Sequence, residues 1–396
     1  MPSKLAAAVN SATGQNFTDD QLFSNALRSL DNSNNLPAYH AGDNFVPYGV
    51  EFTKNPQLLT DYMNTVAVKY ALVFIKNVLA NNPLYRFRRG ELGAGGKLES
   101  VVFDTIQPKV YRVGDGTGDT NPYKVNFGRV LGNTYVQTFD VTSSNTIVDT
   151  QDQMYFQNLE QFNNFVYGKI TQVVNGIVLD EYTMTKTTLV KSLVDGMINQ
   201  DTANNIKDLQ KKILYWARMF QYFNRNNNAL GVNSATRVED VEVIIPLKHS
   251  INLDVDYVSN VFNAELMKNT NFHLTEIDSF PTIWTYTKDH TVTTDDYDKG
   301  FLSPDSHPLG SVIEKGALAN PSATDAAIAI DGNKIGALVL DRDALQIWDA
   351  LPLTLSAVGN PANRTTNIFG NQKSYMMFVQ ALNSHAIMYD DSDSDD

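Results

Sequence analysis

Two runs with a period of two, LESVVFDTIQPKVYRV (98–113) and KVNFGRVLGNTYVQTFDV (124–141), flank the turn-rich stretch GDGTGDTNP (114–122). Val, Tyr, Phe and Thr suit a pleated surface, and clustered Gly, Asp and Pro suit a reversal, so the pattern predicts one long β-hairpin. At about 3.3 Å per residue each limb would reach roughly 50 Å. A two-stranded ribbon is marginal on its own in water. No neighbouring segment offers an obvious sheet to hold it, so the supporting surface is expected on another copy of the same chain.

Helical spacing surrounds the hairpin. In NPQLLTDYMNTVAVKYALVFIKNVLA (55–80), Leu58, Tyr62, Val66, Tyr70, Phe74 and Val78 recur every four residues, and Asn81, Asn82 and Pro83 stop the run. After the hairpin, Leu159, Phe162, Val166, Ile170, Val173 and Ile177 form one stripe that Tyr182, Leu189, Leu193 and Met197 continue. A continuous helix over about 158–198 would be roughly 60 Å long. Gly168 and Gly176 inside it each cost about 1 kcal/mol relative to Ala and mark places for a bend. Another helix is expected over 208–226 (DLQKKILYWARMFQYFNRN).

The remainder is mixed, and the fold class expected is α+β. Residues 1–57 are polar and turn-rich and read as an arm, with one short helix at about 19–31 opened by Thr18 or Asp19. VEVIIPL (241–247) reads as a buried strand, LDVDYVSNVFNAELMKN (253–269) as a helix and HLTEIDSFP (273–281) as a strand and turn. IGALVLDRDALQIWDAL (335–351) gives an apolar strand running into a turn, and SYMMFVQALNSHAIMYD (374–390) two more strands. The polar stretch 285–333 reads as a surface loop, and DDSDSDD (390–396) as a solvated acidic tail.

Several chemistries are disfavoured. With 31 Lys+Arg against 44 Asp+Glu, net charge -13, the chain as a whole repels nucleic acid. Cysteine is absent, which removes disulfides and thiolate chemistry, and the six histidines show no metal-helix spacing. No cofactor or metal is expected. GDGTGD lacks the helix and GKS or GKT of a phosphate loop, so Gly114, Gly116 and Gly118 are read as a hairpin tip and GAGG (93–96) as a joint. The acid pairs Asp254/Asp256 and Asp341/Asp343 are read as a helix-start cap and a turn or surface pair. The apolar run LAAAV near the N-terminus is too short for a signal peptide and ALVFI (71–75) too short for a membrane span, so the chain reads as soluble and cytosolic.

One cluster stands against the acidic background. NNPLYRFRRGELGAGGKLES (81–100) gathers Arg86, Arg88, Arg89 and Lys97 around Tyr85 and Phe87. It could serve as a nucleic-acid patch, a phosphate cradle, or half of a contact with another protein. In an extended strand Arg86 and Arg88 would share one face, and Tyr85, Phe87 and Arg89 the other.

The order of these elements resembles the Hong Kong 97 (HK-97) type of phage capsid fold. FIKNVLANNPLYRFRRGELGAGGKLESVVFDTI (74–106), FVYGKITQVVNGIVLDEYTMTKTTLVKSLVDGM (165–197), INLDVDYVSNVFNAELMKNTNFHLTEIDSF (251–280) and LVLDRDALQIWDALPLTLSAVGNPANRTTNIF (338–369) are similar to stretches of major head proteins of the φ29-like group, small short-tailed phages of Gram-positive bacteria. The resemblance covers most of 55–389. It implies an N-terminal arm (1–57), a helix leading to the loop (58–83) and an extended loop (84–148) lying over the adjacent subunit. A peripheral domain with the spine helix (149–240) and an axial domain (241–389) would follow, with the surface insertion at 285–333, and then the acidic tail (390–396).

It further implies a non-enzymatic shell subunit. Its partners would be its own copies as hexamers and pentamers, a scaffolding protein, a portal protein and packaged double-stranded DNA bound only weakly. It would reside in the virion capsid after assembly in the host cytoplasm. On this reading Tyr85, Arg86, Phe87, Arg88, Arg89 and Lys97 form an intersubunit contact in which the arginines meet a neighbour's carboxylates. The competing classes are a carbohydrate-active enzyme or binding module using the acid pairs, and a tail or adhesion protein; the hairpin speaks against the first and the helices against the second.

Overall fold

The computed structural model describes residues 3–30, 39–69, 82–92, 98–106, 129–133, 137–148, 157–258, 272–298, 307–323, 325–360, 363 and 365–390. Lys97, the GAGG joint and the tip glycines Gly114, Gly116 and Gly118 lie outside these residues, as do Tyr70, Phe74 and Val78.

The helices among the described residues are α1 (Lys4–Thr13), α2 (Asp19–Leu27), α3 (Val46–Lys54), α4 (Pro56–Lys69), α5 (Leu159–Val194), α6 (Ile206–Met219), α7 (Leu247–Val258) and α8 (Thr294–Asp298). Thr18 opens α2 as expected, through a reciprocal capping box with Gln21. The N-terminal region is nevertheless no free arm. Phe23 sits at the centre of an aromatic cluster whose ring centroids, on Tyr39, Phe45, Tyr48, Phe52, Tyr62 and Phe162, lie 5.0 to 6.3 Å away. That cluster docks α1–α4 on the first half of α5. Its apolar residues are divided among short helices with polar joints, so no long stripe announces them.

Asn158 caps α5, which runs unbroken for 36 residues, about 54 Å, through Gly168 and Gly176. Phe162, Val166, Ile170, Val173 and Ile177 face the N-terminal core, while Leu189, Val190 and Leu193 face a second core. One helix thus walls both.

Among the described residues the strands are, in chain order, β1 (Arg88–Glu91), β2 (Ser100–Phe103), β3 (Val130–Asn133), β4 (Gln137–Val148), β5 (Asn199–Ala203), β6 (Val241–Pro246), β7 (His273–Ile277), β8 (Ile283–Tyr286), β9 (His290–Thr291), β10 (Val312–Ile313), β11 (Ala326–Ile330), β12 (Ile335–Asp341), β13 (Leu345–Asn360), β14 (Thr365–Phe378) and β15 (Ser384–Tyr389). A five-stranded sheet has the order β5-β15-β12-β6-β7. Every residue of β12 is buried. Its Leu338 and Leu340 face the α5 side, and Ala337 and Val339 the α6 side, where Leu209, Ile213, Ala217 and Phe220 cover the sheet.

A four-stranded sheet, β1-β13-β14-β4, lies under α5 and α4. A Cβ on Gly370 of β14 would come within 2.7 Å of Val173 and 2.8 Å of Ile177, so the bare backbone is what lets the sheet approach the helix. The β13–β14 hairpin was not visible in the periodicity. Pro352 falls within the second register shift of β13, between Leu351 and Thr354, where a missing N–H is tolerated.

Two expectations about organisation need correction. Residues 199–219, assigned to the peripheral domain, supply β5 and α6 to the five-stranded sheet, while β13 and β14, assigned to the axial domain, build the four-stranded sheet with α5. The stretch 285–333, expected as loop, is folded: β8 pairs with β11 and β9 with β10. His290 is buried there between Asp296 at 3.1 Å and Asp325 at 3.5 Å, with its ring stacked 4.6 Å from Tyr286. Polar composition hid a small core stapled by hydrogen bonds.

Candidate functional site

The chain enters the arm through Asn82, whose Oδ1 accepts from the Leu84 N–H at 2.9 Å, followed by Pro83. This cap and proline close a 3₁₀ turn over Pro83–Phe87. Three residues per turn put Leu84 and Phe87 on one side, fully buried in the core between the two sheets, and leave Tyr85 59% exposed. The two-faced extended strand expected over 85–89 is therefore absent, and Phe87 is a core residue rather than a contact for a neighbour. Extended structure begins only at Arg88, where β1 pairs parallel with β13.

The arginines also find their partners at home. Arg86 Nη1 lies 3.2 Å from Glu242 Oε2 on β6. Arg88 donates to Glu181 on α5 through Nη2 and to Asp349 on β13 through Nη1. Arg89 pairs with Asp343 and donates to the carbonyl of Arg342 at 2.7 Å. The carboxylates expected on a neighbouring subunit belong to the same chain, because the 3₁₀ turn and β1 carry the guanidinium groups inward. Each arginine ties the arm to a different element.

Arg88 is the most enclosed of the three, with its side chain 17% exposed against 3% for Glu181 and 7% for Asp349. Gln372 Nε2 donates to Glu181 Oε2 at 2.9 Å and Ser374 Oγ to Asp349 Oδ1 at 2.8 Å, so the carboxylates are held by more than charge. Burial pushes the Asp349 carboxyl above its ordinary range, outweighing the pull of Arg88. Removing one partner of such a buried pair typically costs about 3–5 kcal/mol. This cluster is an anchor, and it is not free to bind anything else.

Beyond it, β2 and β3 pair antiparallel with Phe103 opposite Val130 and Val101 opposite Gly132. One face turns inward: Leu98 and Val102 pack near Met377, Val379, Ala381 and Leu230. Asp104 and Thr105 fasten the same limb to 225–233, Thr105 Oγ1 accepting from Asn233 Nδ2 at 2.8 Å and Asp104 pairing with Arg225 at 3.5 Å. The other face turns outward, with Val101, Phe103 (74% exposed) and Val130 on it, and Ile106 exposed just beyond. The alternation in SVVF carries this signal.

The acid pairs hold structural positions. Asp341 Oδ2 accepts from Thr236 Oγ1 at 2.6 Å and Oδ1 from the Asp343 N–H at 2.8 Å, while Asp343 holds Arg89. Asp254 and Asp256 lie within α7, which opens at Leu247, rather than at a helix start. Among the described residues no cluster suited to a metal ion occurs, and no helix is long and apolar enough to cross a membrane.

A long helix walling two cores, two sheets and a tethered two-stranded ribbon with an apolar outer face define the HK-97 class of shell fold, and solved structures agree. The capsid of Staphylococcus phage Andhra matches with a TM-score of 0.57 at 17% identity, covering 76% of this chain and 82% of that one. A chain in the structure of head fiber and inner core protein of native bacteriophage P68 matches with a TM-score of 0.60 at 16% identity, covering 78% and 84%. The family model described as Phi29-like phage major capsid protein matches residues 25–388, and the chain belongs to that family. The major capsid protein of Bacillus phage PZA is 25% identical over 285 residues, 68% of this chain and 62% of that protein. That of Bacillus phage GA-1 is 24% identical over 226 residues, 54% and 48%. The matched region thus spans less than two thirds of these relatives' own length.

Proposed function

We propose that the chain is the shell subunit of a tailed-phage head, assembling through copies of itself around double-stranded DNA. The observation that carries this reading is the outward strip of Val101, Phe103, Ile106 and Val130 at the base of the arm, on a ribbon whose other face is packed against Met377, Val379 and Ala381. Burying each such side chain against a neighbour is worth about 1.5–3 kcal/mol. Exposed Tyr85 beside the root belongs to the same contact, as do Lys97 and the hairpin beyond it. Arg86, Arg88 and Arg89 act on assembly indirectly, by fixing the direction in which the arm leaves the body.

On this reading, which family membership supports, its partners are its own copies as hexamers and pentamers, a scaffolding protein during assembly, a portal at one vertex and packaged DNA held by weak contact. It would reside in the virion after assembly in the host cytoplasm. The peripheral division comprises α5 with the four-stranded sheet and the axial division the five-stranded sheet with α6. No catalytic step is assigned, since Asp341 and Asp343 are engaged in the fold. Electron microscopy and native mass measurement of the chain, alone and with candidate scaffolding partners, test the reading. Closed shells or rings are expected; a strict monomer under every condition would overturn it.

A further inference from the structure

Helix α6 carries an unusual outer face for an acidic chain. Its inner side, Leu209, Ile213 and Ala217, is buried on the five-stranded sheet. Lys207, Lys211, Tyr215 and Arg218 are exposed, and at 100° per residue they fall on one stripe, continued past the helix by exposed Tyr222. Lys212 at the flank pairs with Asp201 and Asp208, whereas Lys207, Lys211 and Arg218 form no ion pair among the described residues. Three unengaged cations interleaved with rings suit an extended polyanion.

A polyanion long enough to cover it starts beside this stripe. Strand β15 ends at Tyr389 opposite Ala203 of β5, and the Asp390 N–H donates to the Ala203 carbonyl at 3.0 Å. Two residues after Ala203, Asn205 caps α6. The stretch 390–396, DDSDSDD, therefore leaves the sheet at the helix end nearest Lys207, where the dipole also favours negative charge. Six residues reach about 20 Å when extended, and Lys207 to Arg218 spans about 16 Å of helix axis. We infer that the acidic stretch after Tyr389 docks in cis along the Lys207–Lys211–Arg218 stripe of α6 and shields it from other polyanions, DNA phosphate included. Tethering supplies an effective concentration that a separate anion must exceed.

The absence of cysteine makes the test direct. Nitroxides are placed on Ser394→Cys and Gln221→Cys in the full chain, and electron–electron distances are measured. A narrow short-distance population is expected at low salt. It should broaden near 1 M salt, where the screening length falls to about 3 Å, and be lost at low salt in Lys207→Gln/Lys211→Gln/Arg218→Gln. Identical distributions in parent and triple variant would overturn the proposal. Dilution with unlabelled chain should leave the short distance unchanged, and its disappearance would assign the stretch to a neighbouring copy and overturn docking in cis. In parallel, deleting 391–396 should raise binding of a short fluorescent DNA duplex several-fold, with no such rise in the triple variant. Equal DNA binding with and without the stretch would overturn the shielding role.

Discussion

The first turn of the arm and the ribbon that follows it, 82–92 and 98–106 with 129–133, solve opposite problems. The first turns charge inward, sealing Arg88 between Glu181 and Asp349 under Leu84 and Phe87. The second turns apolar surface outward, leaving Phe103 and Val130 uncovered while Asp104 and Thr105 tie it down. A segment that must hold its direction can use buried, fully directional ion pairs, whose value is geometric as much as energetic. A segment that must recognise a neighbour needs undirected apolar area that stays unsatisfied until the neighbour arrives. Polarity by itself therefore does not tell an interface from an anchor.

The largest effect expected is at the anchor. Arg88→Met should lower the stability of the isolated chain by about 3–5 kcal/mol, read from the urea midpoint by circular dichroism. Adding Asp349→Met should recover part of that loss, because an unpaired buried carboxylate is removed with it. If the single variant unfolds with the parent, the anchor reading breaks. Next comes Gly370→Ala, where a methyl would meet Val173 at 2.7 Å, with an expected loss of about 1–3 kcal/mol and no selective effect on the arm.

At the ribbon the pattern should invert. Phe103→Asp is expected to leave the monomer within about 0.5 kcal/mol of the parent while abolishing shells and rings in electron micrographs. Loss of monomer stability with assembly intact would reverse the comparison. Arg86→Gln tests the middle ground, since Glu242 also accepts from Thr275 and faces His273 at 2.9 Å; a stability loss of about 1–3 kcal/mol is expected, without a direct block on assembly.

The smallest effect is in pH. Burial pushes Asp296 up, but hydrogen bonds from Thr293 and His290 outweigh it and hold the carboxyl below its ordinary 3.8. Its contribution to stability is thus complete above that value and is lost as pH falls below it. Asp349 has the opposite sign: its raised carboxyl holds a proton more readily in the folded chain, so acid does not weaken the anchor through this group. Trp284 lies in the folded insertion and Trp348 beside the arm root. In single-tryptophan variants the Trp284 signal should change first on acidification, and Asp296→Asn should remove that difference.

Long, regular features were legible in the sequence. The 3.6 spacing of Leu159 to Leu193 gave α5, the run VEVIIP gave β6, and Thr18 with Gln21 gave the start of α2. What escaped depends on contacts between distant positions. Phe23 and Phe162 meet only in the folded chain, the strand across Pro352 depends on a register shift against its partner, and the carboxylates opposite Arg86, Arg88 and Arg89 are more than ninety residues away in sequence. The site was legible in place but not in role, since a basic cluster in an acidic chain reads the same whether its partners are inside or outside.

The pairing of β1 with β13 has a mechanical side. Because these strands run parallel and their hydrogen bonds lie across the chain, a tug on the arm directed along β1 strains the bonds of the pair in shear, together, instead of peeling them one after another. The guanidinium contacts of Arg88 and Arg89 share that tension with α5 and with the turn after β12. An arm rooted in this way works as a tether, passing load from one end of the molecule into both of its cores at once.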